Sequence, residues 1–174
     1  MAFISISITK NHPLILGKGG FGRQLADWLS AEGWGEAEFL DDSAPGCVGG
    51  LRDYADPKLL KPGRPAFVAL GDNALRVELL QKLAAAGYDT PVFISDMAAV
   101  SPSAVLEPGC VILPQAYVGA DAHLGVGCII NGGAIVDHDV VLGRGVHVAP
   151  GGIVKAGAKV EALTKVDSGE IIKK

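Results

Sequence analysis

Aromatic side chains are scarce in this chain, at 6% of 174 residues, whereas glycine occurs 24 times. A core built from small and aliphatic residues with that much glycine suits tightly stacked strands better than a bulky helical bundle. Cysteine is nearly as rare: Cys47, Cys110 and Cys128 form neither a disulfide framework nor a zinc spacing. They read as small buried hydrophobes of a reducing cytoplasm, and nothing in the spacing of His, Cys and acidic residues suggests a metal. No run approaches the ~20 apolar residues of a membrane span. Residues 1–10 lack the charged and apolar regions of a signal peptide. The expectation is a cytoplasmic protein with no membrane partner. No basic block occurs before Lys173-Lys174, and the formal net charge is −4. That argues against nucleic acid as a main partner.

What is present is a repeat. Cut after Ser103, the chain falls into sixes: AVLEPG, CVILPQ, AYVGAD, AHLGVG, CIINGG, AIVDHD, VVLGRG, VHVAPG, GIVKAG, AKVEAL, TKVDSG and EIIKK. The third position is Leu106, Ile112, Val118, Leu124, Ile130, Val136, Leu142, Val148, Val154, Val160, Val166 and Ile172, aliphatic every time. With about half of residues apolar, one phase would do this by chance about once in 4,000 tries. The first position is mostly small, as at Ala104, Cys110, Ala116, Ala122, Cys128, Ala134, Gly152 and Ala158. Six residues are too few for the strand spacing of a sandwich. They fit a short strand and a tight corner, three sides to a coil, with each third residue pointing into a narrow prism. Residues 18 apart then stack about 4.8 Å apart. The stacking predicts ladders such as Leu106–Leu124–Leu142–Val160 and Ile112–Ile130–Val148–Val166, with Cys110 directly below Cys128.

The first half has a different pattern. Leu14-Ile15-Leu16 reads as a strand that runs into GKGGFG at 17–22, then into a helix over 23–32 with Leu25, Ala26, Trp28 and Leu29 inward. Further strands are expected at 37–40, 65–70 and 92–94, and an amphipathic helix over 74–86 carries Leu75, Leu79, Leu80 and Leu83. Alternating strands and helices imply a small parallel sheet with Rossmann-like order. Gly17, Gly19 and Gly22 match GxGxxG in the required strand-to-helix context, where bare amides favour a phosphate. Asp41 and Asp42, at the end of the second strand, could accept hydrogen bonds from a ribose or a base. A tight glycine turn beside a solvated acidic loop would read the same way. The Ile4-Ser5-Ile6-Ser7-Ile8 alternation reads as an extra edge strand or a leader.

Together the halves give an α/β + β fold class. A Rossmann-like nucleotide-sugar-binding domain occupies residues 1–97 and a β-helix residues 98–174. Five motifs resemble the sialic-acid O-acetyltransferase and UDP-4-amino-sugar N-acetyltransferase family: GKGGFG (17–22), FLDD (39–42), FVALGDN (67–73), ISPSAVLEPGCVI (ending at Ile112) and NGGAIVDHDVVLGRGVHV (131–148). The resemblance implies a left-handed hand for the β-helix, a homotrimer, a nucleotide-sugar substrate held by the small domain, and acetyl-CoA as co-substrate between neighbouring subunits. It places the general base on His138 and its acidic partner on Asp139. Coenzyme contacts fall on His147, Ala156 and Asn131. Substrate contacts fall on Gly19, Gly20, Phe21, Asp41, Asp42, Gly71 and Ala74. Two departures stand out. Phe21 occupies a position where the family commonly has histidine, and the glycine pattern fades after Gly157, where family members usually continue through further coils.

The chemistry at His138 agrees. An imidazole with an ordinary pKa near 6.5 can take a proton at neutral pH, and a neighbouring carboxylate raises its basicity. A histidine flanked by Asp137 and Asp139 could equally be a solvated turn. His147, at a second position of its segment, should face outward. The leading expectation is therefore an acyltransferase moving acetyl to an amino or hydroxyl group of a nucleotide-linked amino sugar or a sialic-acid-like sugar. The alternatives are a non-catalytic trimeric sugar-nucleotide-binding relative with a shortened coenzyme site, and an NAD-binding oxidoreductase for which the sheet is short.

Overall fold

A strand of three apolar residues cannot stand alone, and the first one here is sandwiched. In the computed structural model, which describes residues 12–59 and 61–173, strand β1 (Leu14–Leu16) is fully buried between two parallel neighbours. These are β2 (Glu38–Leu40) on one side and β3 (Ala66–Val68) on the other, giving the order β2-β1-β3. Helix α1 (Gly20–Ala31) links β1 to β2, and α2 (Asn73–Ala85) follows β3. Gly22 is required by contact: a Cβ there would lie 1.9 Å from the Gly17 carbonyl oxygen. The glycines therefore let α1 start at Gly20, three residues inside the motif, so it opens earlier than the apolar pattern alone suggests. The 4–8 alternation lies outside the described residues.

The strand expected at 92–94 does not join this sheet. Phe93–Ile94 pairs in parallel with Val111–Ile112 and is the first rung of the β-helix, ahead of the boundary read at residues 97 and 98. An isolated apolar triplet carries no signal for which sheet it will join, and a register of 18 residues decides it here. The left-handed β-helix then winds upward with three flat faces. Face one stacks Phe93–Ile94, Val111–Ile112, Ile129–Ile130, His147–Val148 and Lys165–Val166. Face two stacks Ala99–Val100, Tyr117–Val118, Ile135–Val136, Ile153–Val154 and Ile171–Ile172. Face three stacks Val105–Leu106, His123–Leu124, Val141–Leu142 and Lys159–Val160. The expected ladders hold, and Cys110 and Cys128 are both free and buried. Interaction with the Cys128 thiol, and then burial, push the Cys110 thiol up, away from the reactive thiolate.

The two parts are fastened by α2. Face one turns Phe93, Val111 and Ile129 outward, and these pack with Ile15, Leu25, Leu29 and Phe67 of the small domain. Beside them, α2 lies along the corner formed by Gly109, Gly127 and Gly145, which recur every 18 residues. A Cβ on Gly127 would come within 2.6 Å of Leu80, and one on Gly145 within 2.7 Å of Val77, both on α2. The next corner residue is Leu163, also in the left-handed region (φ 64°), where Asn73 Nδ2 donates to its carbonyl at 2.8 Å. Arg76, only 1% exposed, reaches into the same seam. Its guanidinium donates to the carbonyls of Gly127 (2.9 Å), Gly145 (2.7 Å) and Leu70 (2.8 Å). Desolvation lowers its pKa to about 10, so it remains a cation at neutral pH. Among the described residues, no helix is long and apolar enough to cross a membrane.

Replacing Arg76 with methionine keeps the bulk of the side chain but strands the buried Gly127 and Gly145 carbonyls and releases that of Leu70. The expected cost is about 3 kcal/mol or more, read as a fall of roughly 6–12 °C in melting temperature. Arg23→Met, on the exposed side of α1, should change the melting temperature little. Differential scanning calorimetry separates the two.

Candidate active site

The residues singled out by sequence gather in three places. The first is the carboxyl edge of the small sheet. There, α1 starts with Gly19 as an extended N-cap that supplies no side-chain cap, and a Cβ on Gly19 or Gly20 would meet nothing within 4 Å. The first-turn amides of such a helix carry partial positive charge and lack intrahelical partners. By contrast, α2 is capped: Asp72 accepts from Leu75 N at 2.9 Å. Gly71 and Ala74 are exposed beside this capped end. Ala74 borders a hollow of about 220 Å³ shared with Gln81, Arg144 and Leu163.

Asp41 and Asp42 follow β2, and both carboxylates already have protein partners. Asp41 Oδ2 accepts from Lys18 N at 2.8 Å, and its Oδ1 accepts from the Ser43 and Ala44 amides and the Ser43 hydroxyl. Those amides hold its pKa down to about 2. Asp42 Oδ1 accepts from Leu51 N at 2.8 Å. The acidic pair thus shapes the loop over 41–50 and ties it to the glycine loop, with Lys18 Nζ closing the same loop onto the Pro45 and Gly46 carbonyls. A larger groove of about 740 Å³ opens beside β2, lined by His12, Phe39, Val48 and Arg64 and by neither His138 nor His147.

The second place is the corner between faces two and three. His138 is exposed there, with Nδ1 2.7 Å from Asp139 Oδ2 and its amide donating to Asp137 Oδ1 at 2.7 Å. Asp139 adopts φ 58°, a conformation tolerated by aspartate. The Asp139 carboxylate, and to a lesser degree that of Asp137, raises the His138 pKa above 6.5. With Nδ1 donating to Asp139, Nε2 keeps its lone pair for an incoming proton. Ala156 lies one coil above on the same corner, where Gly157 N donates to the His138 carbonyl at 3.0 Å.

The third place is face one, where the small domain ends. His147 projects from the prism as its second position requires, but it is half-buried rather than solvated. The Phe21 ring from α1 stands over it, with centroids 6.4 Å apart. Asn131 Nδ2 lies 3.3 Å from its Nε2, and its Nδ1 is buried with no hydrogen-bond partner among the described residues. Burial first, then the Arg76 and Lys165 cations, pull its pKa down to about 4. Sequence reasoning missed Arg76, because one arginine on an amphipathic helix reads as solvated. Its spacing was the available signal, since Arg76, Leu79, Leu80 and Leu83 lie on one helical face.

The structure therefore brings His138, Asp139 and Ala156 together, and separately Phe21, Asn131 and His147. In a three-sided prism the corner of the first group is opposite the face of the second. One chain does not join them.

An α/β cap docked on a hexapeptide β-helix that carries a His–Asp pair on one corner is the architecture of an acyltransferase. Residues 14–83 match the PglD N-terminal domain family. The acetyltransferase domain of PglB from Neisseria gonorrhoeae is 30% identical and superposes with a TM-score of 0.82, covering 94% of this chain and 91% of that one. The same domain in complex with acetyl coenzyme A is 29% identical, with TM-score 0.78 and coverage of 94% and 92%. PerB from Caulobacter crescentus, in complex with CoA and GDP-perosamine, is 28% identical, with TM-score 0.80 and coverage of 94% and 89%. No curated protein sequence matches the chain. The chain belongs to the hexapeptide-repeat sugar acetyltransferase family.

The depressed pKa of Asp41 has a consequence for stability. Its ionised form is held in the folded state, so its contribution is present above the ordinary value of 3.8 and is lost as pH falls toward about 2. Asp41 is well solvated, so the contribution is discounted to about 1 kcal/mol. Asp41→Asn should flatten acid destabilisation in that window and lower the melting temperature at neutral pH. Urea titrations at a series of pH values would show it.

Proposed function

We propose that this protein transfers an acetyl group from acetyl-CoA to the amino group of a nucleotide-linked amino sugar, in a site shared by two copies of a homotrimer. The observation that carries the reading is the separation of the two histidine clusters onto opposite sides of one prism. Face two, between them, carries an outward ladder of Ala99, Tyr117, Ile135, Ile153 and Ile171. Tyr117, Ile135 and Ile171 are 45%, 37% and 48% exposed, an apolar stripe of the kind that marks an interface. Three copies turning face two toward a threefold axis would set the His138 corner of one beside the Asn131–His147 edge of the next. That is a head-to-tail contact that closes into a ring.

The N-terminus of α1, uncapped and flanked by Gly19 and Gly20, suits the diphosphate of the sugar nucleotide. Phe21 on the same turn is in contact with His147, so a sugar held there would extend toward face one. Ala156, above His138, borders the coenzyme. The chain covers 92% of the relative crystallised with acetyl coenzyme A, which favours a working coenzyme site over a shortened one.

In the reaction, the neutral amine of the sugar attacks the thioester carbonyl and its proton passes to Nε2 of His138. The new C–N bond forms, the C–S bond breaks, and the His138 imidazolium returns its proton to the departing coenzyme sulfur, which leaves as a thiol and restores the neutral base. Asp139 holds Nδ1–H and stabilises the imidazolium. The two histidines have environments that push their pKa values apart, which separates the base from the group that only donates and accepts hydrogen bonds. His147, held low, is the latter.

His138→Ala should cut the transfer rate by about 10²–10⁴-fold, with the trimer and nucleotide-sugar binding intact. The assay follows release of the coenzyme thiol with a panel of amino-sugar nucleotides. Activity requires unprotonated His138, so it falls as pH drops through a pKa above 6.5. Asp139→Asn should move that acid limb to lower pH and cost less at the optimum. Full activity of His138→Ala would exclude this mechanism.

Ile135→Glu should yield monomers by light scattering and lose activity although His138 and His147 are intact. Mixed trimers of His138→Ala and His147→Ala chains should recover part of the rate, because some interfaces pair two wild-type histidines. No recovery would argue against a shared site.

A further inference from the structure

The Asn131 amide is held at both ends. Oδ1 accepts from Gly132 N at 2.8 Å, and Nδ2 faces His147 Nε2 at 3.3 Å. The orientation is fixed by chemistry: rotating the amide by half a turn would aim an NH₂ group at the Gly132 N–H, donor against donor. Nδ2 can only donate, so His147 Nε2 must accept. A neutral imidazole that accepts at Nε2 carries its proton on Nδ1. Turning the imidazole over would put a carbon against Nδ2 and lose the bond.

We infer that Asn131 is a positioning residue that locks His147 in the neutral, Nδ1-protonated tautomer, so that in the proposed reaction His147 acts as a fixed neutral dipole and not as a second base. The inference rests on the proposed activity only for its catalytic consequence. The protonation pattern is a property of the protein alone.

The surroundings favour the neutral ring. The charged groups that bear on it are Arg76 from α2 and Lys165 from the coil above, both cations. Ile129 in the coil below and Phe21 from α1 bring no charge. Nothing near His147 parallels Asp139, which sits beside His138. The Nδ1–H is buried with no acceptor among the described residues. A free imidazole favours the other tautomer, so one that leaves a buried donor unpaired needs a specific cause, and Asn131 supplies it. The same lock leaves the proton of the attacking amine to His138, because an Nε2 already engaged by Asn131 and surrounded by cations is a poor acceptor for it.

The test reads ring nitrogens directly. Long-range proton–nitrogen correlation spectra of the ¹⁵N-labelled full chain, with the His147 signals assigned by their loss in His147→Gln, should give a protonated-type signal at Nδ1 and an unprotonated-type signal at Nε2. The pattern should persist down to about pH 5, because the His147 pKa is near 4. Asn131→Asp keeps an acceptor for Gly132 N but presents a carboxylate to Nε2. It should move the proton to Nε2 and raise the titration point of His147. It should also cut kcat by between about 10-fold and 10⁴-fold, the span associated with a loosened or wrong-tautomer histidine, with a smaller change in KM. Asn131→Leu, which removes the bond without adding charge, provides a second arm and should give a mixture of tautomers. Wild-type protein protonated at Nε2, or an unchanged Nδ1 pattern in both variants with folding verified by melting curves, would overturn the inference. If the wild type transfers no acetyl group, the proposed function fails while the nitrogen spectra still decide the tautomer.

Discussion

Much of this structure depends on a buried arginine that forms no ion pair among the described residues. Arg76 crosses from α2 into the β-helix and satisfies carbonyls at two successive turns of one corner, Gly127 and Gly145, together with Leu70 of its own domain. A cation taken out of water this completely is costly unless every N–H finds a partner. The seam supplies those partners only in one register, because the two glycine carbonyls belong to residues 18 apart. A slip of one coil would move the guanidinium away from both. The arginine thus selects the register as well as stabilising the seam, and it fixes where α1 and its glycine loop stand relative to the coils.

That fixed placement brings Phe21 to His147. Phe21, in the turn that opens α1, is 126 positions from His147 in sequence, yet its ring lies against the imidazole. Close packing of Ile15, Leu25, Leu29 and Phe67 on Phe93, Val111 and Ile129 makes the junction a continuous core and not a hinge. The outward row of face one records the same boundary. It runs Phe93, Val111, Ile129, His147, Lys165, apolar where the small domain covers it, half-polar at its rim and charged beyond.

The β-helix was almost fully legible in the sequence because its signal is long: an aliphatic third residue in every segment and a fixed period of six. The small sheet was legible in element type, though its shortest strand was assigned to the wrong partner. Three apolar residues at 92–94 look alike whether they enter a Rossmann-like sheet or a β-helix rung. Of the candidate site, the pairing of His138 with Asp139 followed from adjacency. The capture of Asp41 by Lys18, Ser43 and Ala44 did not, since an acidic residue after a strand reads the same whether it awaits a ligand or folds its own loop. Arg76 was missed because a single charge is weak evidence against a solvated helix face, and its role exists only across the seam. Asn131 was read as a coenzyme contact from the resemblance; its bonds to Gly132 and His147 within the chain carried no signal in the sequence.

Two histidines nine residues apart on one repeat meet opposite electrostatics, and the prism explains how. Nine residues are one and a half segments, enough to carry the chain from the corner between faces two and three round to face one. The corner is a tight turn, solvated, where an aspartate in the left-handed region can lie against the imidazole. The face is covered by a second domain that brings an aromatic ring and a buried arginine. The corner aspartate makes one histidine more basic, and the docked domain with its arginine makes the other less so, with no change in the repeat's core. In the proposed acyl transfer, a single register of the hexapeptide coil would supply both a proton acceptor and a second imidazole that stays neutral. The two point away from each other in one chain, and that is why the proposed site takes its two histidines from different copies.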